Sequence, residues 1–369
     1  MAYYRLHHID NIRLKGMLTV EASLVFGISF LAVLACMELS ILVYDTQVLE
    51  SRLHEISVRA AFEDLTDDEI RGLAHEKTVF VCGQYGNDIL HDNKRNEYLI
   101  IQMERVIFKS LRSFGYHLSK GGYVPRYFEH RFTDESRYRI RGTIDRIDVA
   151  ERNDKVYVKI IDYKSSNRKP DVSLLYYGLS LQLPIYLNEA GRLIGMEFPD
   201  KKVVPAAMLY ETVTDPVIKD SDENNIDEKI KMALRSDGLF INDEEALLCI
   251  DPDIAAKGHS DVVHMDLGKD GTSKRGSQDA SEKEMESWLK YAGRKAGELI
   301  GQISGGMIDI SPVTLAKPAF DSCEYCAYKS ICGYDERTPG YRKTELCEVT
   351  AAKLLQESEA KDPTDGVNI

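Results

Sequence analysis

No glycine-rich phosphate loop of the Walker type occurs in the 369 residues, so ATP hydrolysis by this chain is not expected. Cysteine is scarce: seven residues are too few for a disulfide scaffold of this size. They are also unevenly spread, with Cys36, Cys82, Cys249 and Cys347 isolated and Cys323, Cys326 and Cys332 clustered. That pattern points to a reducing compartment with a metal or cluster site. Net positive charge is missing too. The formal charge of −13 and pI near 5.3 argue against a general nucleic-acid coat, so contact with a polyanion must come from a local patch. Internal repeats are absent, which sets aside repeat architectures.

What is present divides the chain in two. The first 45 residues differ in kind from the rest. Arg5, Arg13 and Lys15 precede Gly16, and Ala22 to Tyr44 is then apolar except for Ser23, Ser29, Glu38 and Ser40. As a helix this run would span roughly 30 Å of hydrocarbon, with the basic flank holding the N-terminus in the cytoplasm. Glu38 opposes that reading, because a mid-bilayer acid costs about 2.5–3.5 kcal/mol. Residues 1–16 thus read as a basic leader-like segment and residues 17–45 as an apolar, transmembrane-type helix.

From Glu63 the composition turns soluble. Thr66 and Glu69 form a helix-start signature, a capping box around Asp67 and Asp68. Asp92 to Gly121 carries Tyr98, Ile101, Val106, Ile107 and Leu111 at mostly helical spacing, which predicts a long amphipathic helix. Arg126–Phe132 reads as a strand. Tyr138–Val149 and Lys155–Tyr163 read as two longer strands joined by the polar turn at Glu151–Asp154. A helix is predicted over Ser173–Asn188, interrupted by Pro184, and a strand over Val203–Val213. Residues 215–285 read as loops with short elements, Ser281–Gly301 as an amphipathic helix, and residues 346–369 as a polar tail. Residues 137–169 hold ten Lys/Arg against five Asp/Glu, a local basic excess.

Chemistry concentrates on the two central strands. On Lys155–Lys164, the residues Val156, Val158, Ile160, Asp162 and Lys164 share one side. An apolar face that ends in an acid and an amine suits a metal site, with Asp145 on the preceding strand supplying a second carboxylate. Mg²⁺ takes one or two protein carboxylates together with waters and substrate phosphate oxygens. The bland alternative is a salt-bridged Asp/Lys pair on ordinary strands.

The run Gly142-x-Ile144-Asp145-Arg146-Ile147-Asp148, followed by Ile161-Asp162-Tyr163-Lys164-Ser165, resembles the PD-(D/E)XK nuclease core in its RecB-like form, with Ile144 at the Pro place. Gln182 and Tyr186 match the family's Gln-x-x-x-Tyr helix, with Gly178 expected one turn earlier on the same stripe. Further echoes are Tyr85–Leu90, Leu175–Leu179, Leu181–Leu183 and Cys323-x-Tyr-Cys326-x-Tyr-x-x-x-Cys332. These resemble the C-terminal nuclease domain of the AddB family of ATP-dependent helicase/nuclease subunits, over residues 63–345. The resemblance implies an α/β, restriction-endonuclease-like mixed sheet flanked by helices, here preceded by an N-terminal apolar helix. It implies Mg²⁺ on Asp145, Asp162 and the Tyr163 carbonyl, Lys164 positioning or activating the attacking water, and Gln182 and Tyr186 contacting Lys164 or DNA. It also implies a metal-dependent deoxyribonuclease, exonucleolytic, working in the cytoplasm on DNA with an AddA-like helicase/nuclease subunit in double-strand-break repair.

In that family a 4Fe–4S cluster is completed by an upstream cysteine. Cys323, Cys326 and Cys332 give three ligands, and neither Cys36 nor Cys82 has the family's surroundings, so an incomplete cluster is expected. The rival is zinc completed by Cys347. His54, in Leu53-His54-Glu55, is either a remnant of a metal-binding histidine or a surface residue. The stretch from Gly16 to Ser23, with Glu21, resembles the start of TadE-type pilin-like proteins; the alternative is a generic membrane anchor. The two halves disagree on compartment, so a fused or misjoined start is a further expectation. Two other functions stay open: a catalytically silent DNA-binding or iron–sulfur module, and a membrane-anchored pilin-like structural protein.

Overall fold

The computed structural model describes residues 65–84, 93–134, 140–218, 226–274, 276–338 and 340–359. The leader-like segment, the apolar run 17–45, Glu21, Cys36, Glu38 and His54 lie outside the described residues. Among the described residues no helix is long and apolar enough to cross a membrane.

Two helices open the described chain, α1 (Asp67–Gln84) and α2 (Lys94–Lys120). Thr66 and Glu69 start α1 as a reciprocal pair, Thr66 N–H donating to Glu69 Oε2 at 2.8 Å and Glu69 N–H to Thr66 Oγ1 at 3.4 Å. Strands β1 (Val124–Asp134), β2 (Ile140–Arg152) and β3 (Lys155–Lys164) follow as an antiparallel meander. The β2–β3 hairpin is tighter than the four-residue turn expected. Asn153, at φ +52, turns the chain with Asp154 alone, as two-residue hairpins require.

Where one helix is expected over Ser173–Asn188, there are two: α3 (Val172–Tyr176) and α4 (Gln182–Glu197). Gly178 breaks them at φ +76, a conformation that costs a residue with Cβ. It therefore does not share a helix stripe with Gln182 and Tyr186. Pro184 does not kink α4, because it occupies the first turn, where backbone N–H groups have no intrahelical partner. The two helices carry the chain across to β4 (Lys202–Thr212), which pairs parallel with β3.

The segment read as loops, residues 215–285, supplies more of the sheet than its polar composition suggests. It contains α5 (Ile226–Ala233), β5 (Asp237–Ile241), α6 (Glu244–Ile250), α7 (Ile254–Lys257) and β6 (Asp279–Ala280). The described residues thus form a six-stranded mixed sheet in the order β1-β2-β3-β4-β5-β6. Helix α4 covers one face, with α8 (Glu282–Ser304) packed outside it. Phe114 of α2 packs on Tyr163 from the other face, with ring centroids 5.0 Å apart. Strand β3 is buried on both sides, and its central positions, Lys159 included, are closed to solvent. A small sheet of β7 (Val313–Leu315), β8 (Phe320–Asp321) and β9 (Thr344–Leu346) follows α8. Within the segment read as a polar tail, Ala351–Ser358 form helix α9, whose Leu354 is buried. Arg294 Nη1 of α8 donates to the Glu357 carbonyl at 2.7 Å.

Candidate active site

Asp145 and Asp162 stand side by side because the β2–β3 hairpin register puts them there. They lie one rung beyond the Arg146–Ile161 pair, on neighbouring strands. Their side chains share the face covered by α4, since residues alternate along each strand. Ile144, at the position expected to hold Pro, is fully buried on the opposite face.

The remaining residues close around the two carboxylates. Lys164 forms an ion pair with Asp162 Oδ2. Gln182, at the first turn of α4, donates from Nε2 to Asp162 Oδ1 at 2.7 Å. Its Oε1 accepts from Lys164 Nζ at 3.4 Å. The Tyr163 backbone N–H donates to Asp145 Oδ2 at 2.8 Å. One turn along α4 from Gln182, the Tyr186 hydroxyl faces the Gln182 side chain and the Thr143 backbone. The Tyr186 ring meets Phe132 edge-on, with centroids 5.8 Å apart. Asp145, Asp162, Lys164, Gln182 and Tyr186 therefore converge on one end of the sheet.

Burial is the main electrostatic force on the acids. It pushes the Asp145 carboxyl up to about 7, with Asp162 and Glu129 adding to the effect while the Tyr163 N–H and Lys164 oppose it. Burial also raises Asp162, against the pull of Lys164 and Arg168. Two desolvated carboxylates that each disfavour the other's charge are the donor chemistry a hard divalent cation relieves. With the neighbouring Tyr163 backbone they fit Mg²⁺, which needs only one or two protein carboxylates.

Two contributors escape sequence reading. Glu129, at φ +46 on β1, lies between the Phe128–Arg146 and His130–Ile144 rungs, opposite Asp145. Only the strand register brings it there. The second is Gly142, where backbone and site side chains approach closely. A Cβ at Gly142 would lie 2.8 Å from the Phe132 ring and 3.0 Å from the Tyr186 ring. Its place three residues before Asp145 was the available signal.

The basic excess of residues 137–169 is smaller at the surface than in the sequence. Arg146 and Lys159 are buried and paired with Asp148, so neither is free to meet a polyanion. Arg168 and Lys169 are exposed just beyond Lys164.

The cysteines do not assemble in the same way. Cys323, Cys326 and Cys332 are free thiols on the turns after β8. Cys347 follows β9 past the Leu315–Leu346 rung, whereas Cys323 leaves β8 beyond the Thr314–Asp321 rung. They exit opposite ends of the small sheet. Cys82 is buried on α1. Among the described residues no three His, Cys, Asp or Glu side chains gather for one metal ion. The three thiols are not gathered around a shared zinc ion or 4Fe–4S cluster.

A family model described as the PD-(D/E)XK nuclease superfamily matches residues 4–333. The chain is 32% identical over 294 residues to an ATP-dependent helicase/deoxyribonuclease subunit of Lachnoclostridium phytofermentans, covering 78% of this chain and 25% of that protein. It is 30% identical over 319 residues to the protein of the same name from Clostridium botulinum (strain Loch Maree / Type A3), covering 79% and 27%. The Moorella thermoacetica protein of that name is 30% identical over 297 residues, covering 76% and 25%. The chain spans about a quarter of the length of the curated relatives it matches.

Proposed function

The chain belongs to the PD-(D/E)XK nuclease superfamily, and from that membership and the geometry of its carboxylates we propose that it is a Mg²⁺-dependent deoxyribonuclease domain. The observation that carries the reading is the Asp145–Asp162 pair on adjacent strands, with Lys164 and Gln182 tied to Asp162.

Asp145, Asp162 and the Tyr163 carbonyl would hold Mg²⁺, which when bound lowers the pKa of a ligated water and neutralises charge on a phosphodiester. Lys164 orients the attacking water and the scissile phosphate. Gln182 fixes Lys164 and Asp162 relative to each other, so the amine and the acid act as one positioned unit. Tyr186, packed against Phe132 and Gly142, borders the same end of the sheet and supports the first turn of α4. Arg168 extends a cationic edge beyond Lys164, suited to the phosphates of a DNA strand, while the exposed Lys169 beside it pairs with Asp237. The relatives' name, a helicase/deoxyribonuclease subunit, supports DNA as substrate and a partner subunit; exonucleolytic action in double-strand-break repair, beside an AddA-like partner in the cytoplasm, completes the proposal.

A nuclease assay comparing the wild-type chain with Asp162→Ala, with Mg²⁺ and with chelator, tests this reading. Cleavage by the wild type alone, and only with metal, is the expected result. Equal digestion by both proteins overturns the mechanism, and no cleavage by either favours the silent DNA-binding module.

A further inference from the structure

Behind the carboxylate pair, on the face of the sheet toward α2, lies a buried layer of charge that the proposed reaction does not use. Arg146 and Asp148 on β2, Lys159 and Tyr163 on β3, Glu211 on β4 and His117 on α2 meet there. Arg146 is fully enclosed, and Asp148, Lys159, Glu211 and His117 are each at least nine-tenths buried. Arg146 Nε donates to Asp148 Oδ1 at 2.9 Å, and Lys159 Nζ lies 3.0 Å from Asp148 Oδ2. Arg146 Nη2 lies 3.5 Å from Glu211 Oε1, and His117 Nδ1 lies 3.6 Å from that same oxygen. Arg146 and Lys159 thus face Asp148 and Glu211 away from solvent.

One link leaves this layer for the active face. Arg146 Nη1 donates to the Tyr163 hydroxyl at 2.6 Å. The backbone N–H of that same tyrosine donates to Asp145 Oδ2 at 2.8 Å. Tyr163 therefore spans the sheet, with its side chain anchored in the buried layer and its amide on a proposed metal-binding carboxylate. Its ring is also wedged between Phe114 and the Arg146 guanidinium, 5.0 Å from one and 5.8 Å from the other.

We infer that Arg146, acting through Tyr163, is a positioning residue for the metal site: the buried ion network fixes the end of β3 so that Asp145 is held in its metal-binding orientation. The inference rests on the metal-nuclease reading above. Arg suits the role because its planar guanidinium spreads five donors over three nitrogens and so reaches Asp148, Glu211 and Tyr163 in different directions, whereas an ammonium's three donors share one nitrogen. Partners that orient a metal ligand change metal affinity or activity by about 10–100-fold when removed.

Tyr163→Phe tests the link, because it deletes only the hydroxyl and keeps the ring and the amide. Calorimetric titration of the metal-free chain with Mg²⁺ is read beside cleavage kinetics and thermal melting. The expected result is about tenfold weaker Mg²⁺ binding and a lower kcat, with the KM for DNA unchanged. A Tyr163→Phe protein that folds, binds Mg²⁺ and cleaves as the wild type does overturns the coupling alone. A wild type that takes up no Mg²⁺ overturns the metal-site reading and the coupling with it. Glu211→Gln perturbs the same guanidinium from β4 while leaving the Tyr163 hydroxyl in place. If Tyr163→Phe does not fold, weakened Mg²⁺ binding by Glu211→Gln supports the inference, and wild-type binding overturns it.

Discussion

Gln182 donates its side-chain amide to Asp162 Oδ1 at 2.7 Å, joining the first turn of α4 to the end of β3. The contact spans a parallel crossover, so it forms only when α4 is seated on the sheet. Its carbonyl end reaches Lys164 Nζ at 3.4 Å, so a neutral residue holds two opposite charges in register. Replacing Gln182 with Ala leaves that pair unbraced. Cleavage is expected to fall by about 10–100-fold, with little change in melting temperature. Steady-state kinetics on a DNA substrate checks this, and a fall in stability alone would count against the bracing role.

Asp162→Ala and Lys164→Ala remove the groups assigned to the metal and to the water. Each is expected to lower kcat by at least about a hundredfold while DNA binding persists. Cleavage and DNA-binding measurements on the same preparations separate loss of chemistry from loss of substrate.

The Asp145 carboxyl, pushed up to about 7 by burial with Asp162 and Glu129 adding, gives a pH dependence of definite sign. Below that pH it is protonated and must release a proton to take a cation, so Mg²⁺ affinity and subsaturating cleavage should rise from about pH 5 to about pH 8. Stability of the metal-free protein should run the other way. A folded pKa above the unfolded value near 4 favours folding at low pH, and that contribution is lost as pH rises through about 7, by a few kcal/mol at most. Thermal melts with and without Mg²⁺ across that range check both signs. A metal-free melting temperature that climbs over this interval would argue against the assignment.

Gly142→Ala should destabilise the protein, because its Cβ would lie 2.8 Å from Phe132 and 3.0 Å from Tyr186. Overpacking of this kind costs about 1–3 kcal/mol. Tyr186 should shift with it, detectable as reduced cleavage alongside the lower melting temperature.

Arg146→Met strands Asp148 and Glu211 in the interior with less positive charge to balance them. Breaking a buried ion network from one side costs about 3–5 kcal/mol, so equilibrium denaturation should show a large loss. The same replacement at exposed Arg168 should leave stability nearly unchanged, within about 0.5 kcal/mol.

Much of the fold is legible locally. The α1 capping box, the amphipathic α2 and α8, and the apolar, turn-bounded runs of β2 and β3 all follow from sequence pattern and cap chemistry within a few residues. What periodicity missed has a common cause. Strands β5 and β6 are short and lie in acidic, glycine-rich sequence, so pairing with β4 and with each other makes them strands. The break at Gly178 was hidden because apolar residues on both sides keep helical spacing across it.

For the site, sequence alone pointed to the residues proposed to carry the chemistry: Asp145, Asp162 and Lys164 from their places along two strands, and Gln182 and Tyr186 from the resemblance to the nuclease family. Tertiary structure decided what those motifs mean to one another. Strand register set Asp145 beside Asp162 and brought Glu129 opposite, and the crossover delivered Gln182 to Asp162. Burial on both faces turned Arg146 and Lys159 from an apparent basic patch into a closed ion network. Side-chain periodicity is local and can be read along a chain, whereas register and desolvation depend on pairings between distant segments, which only the folded molecule makes.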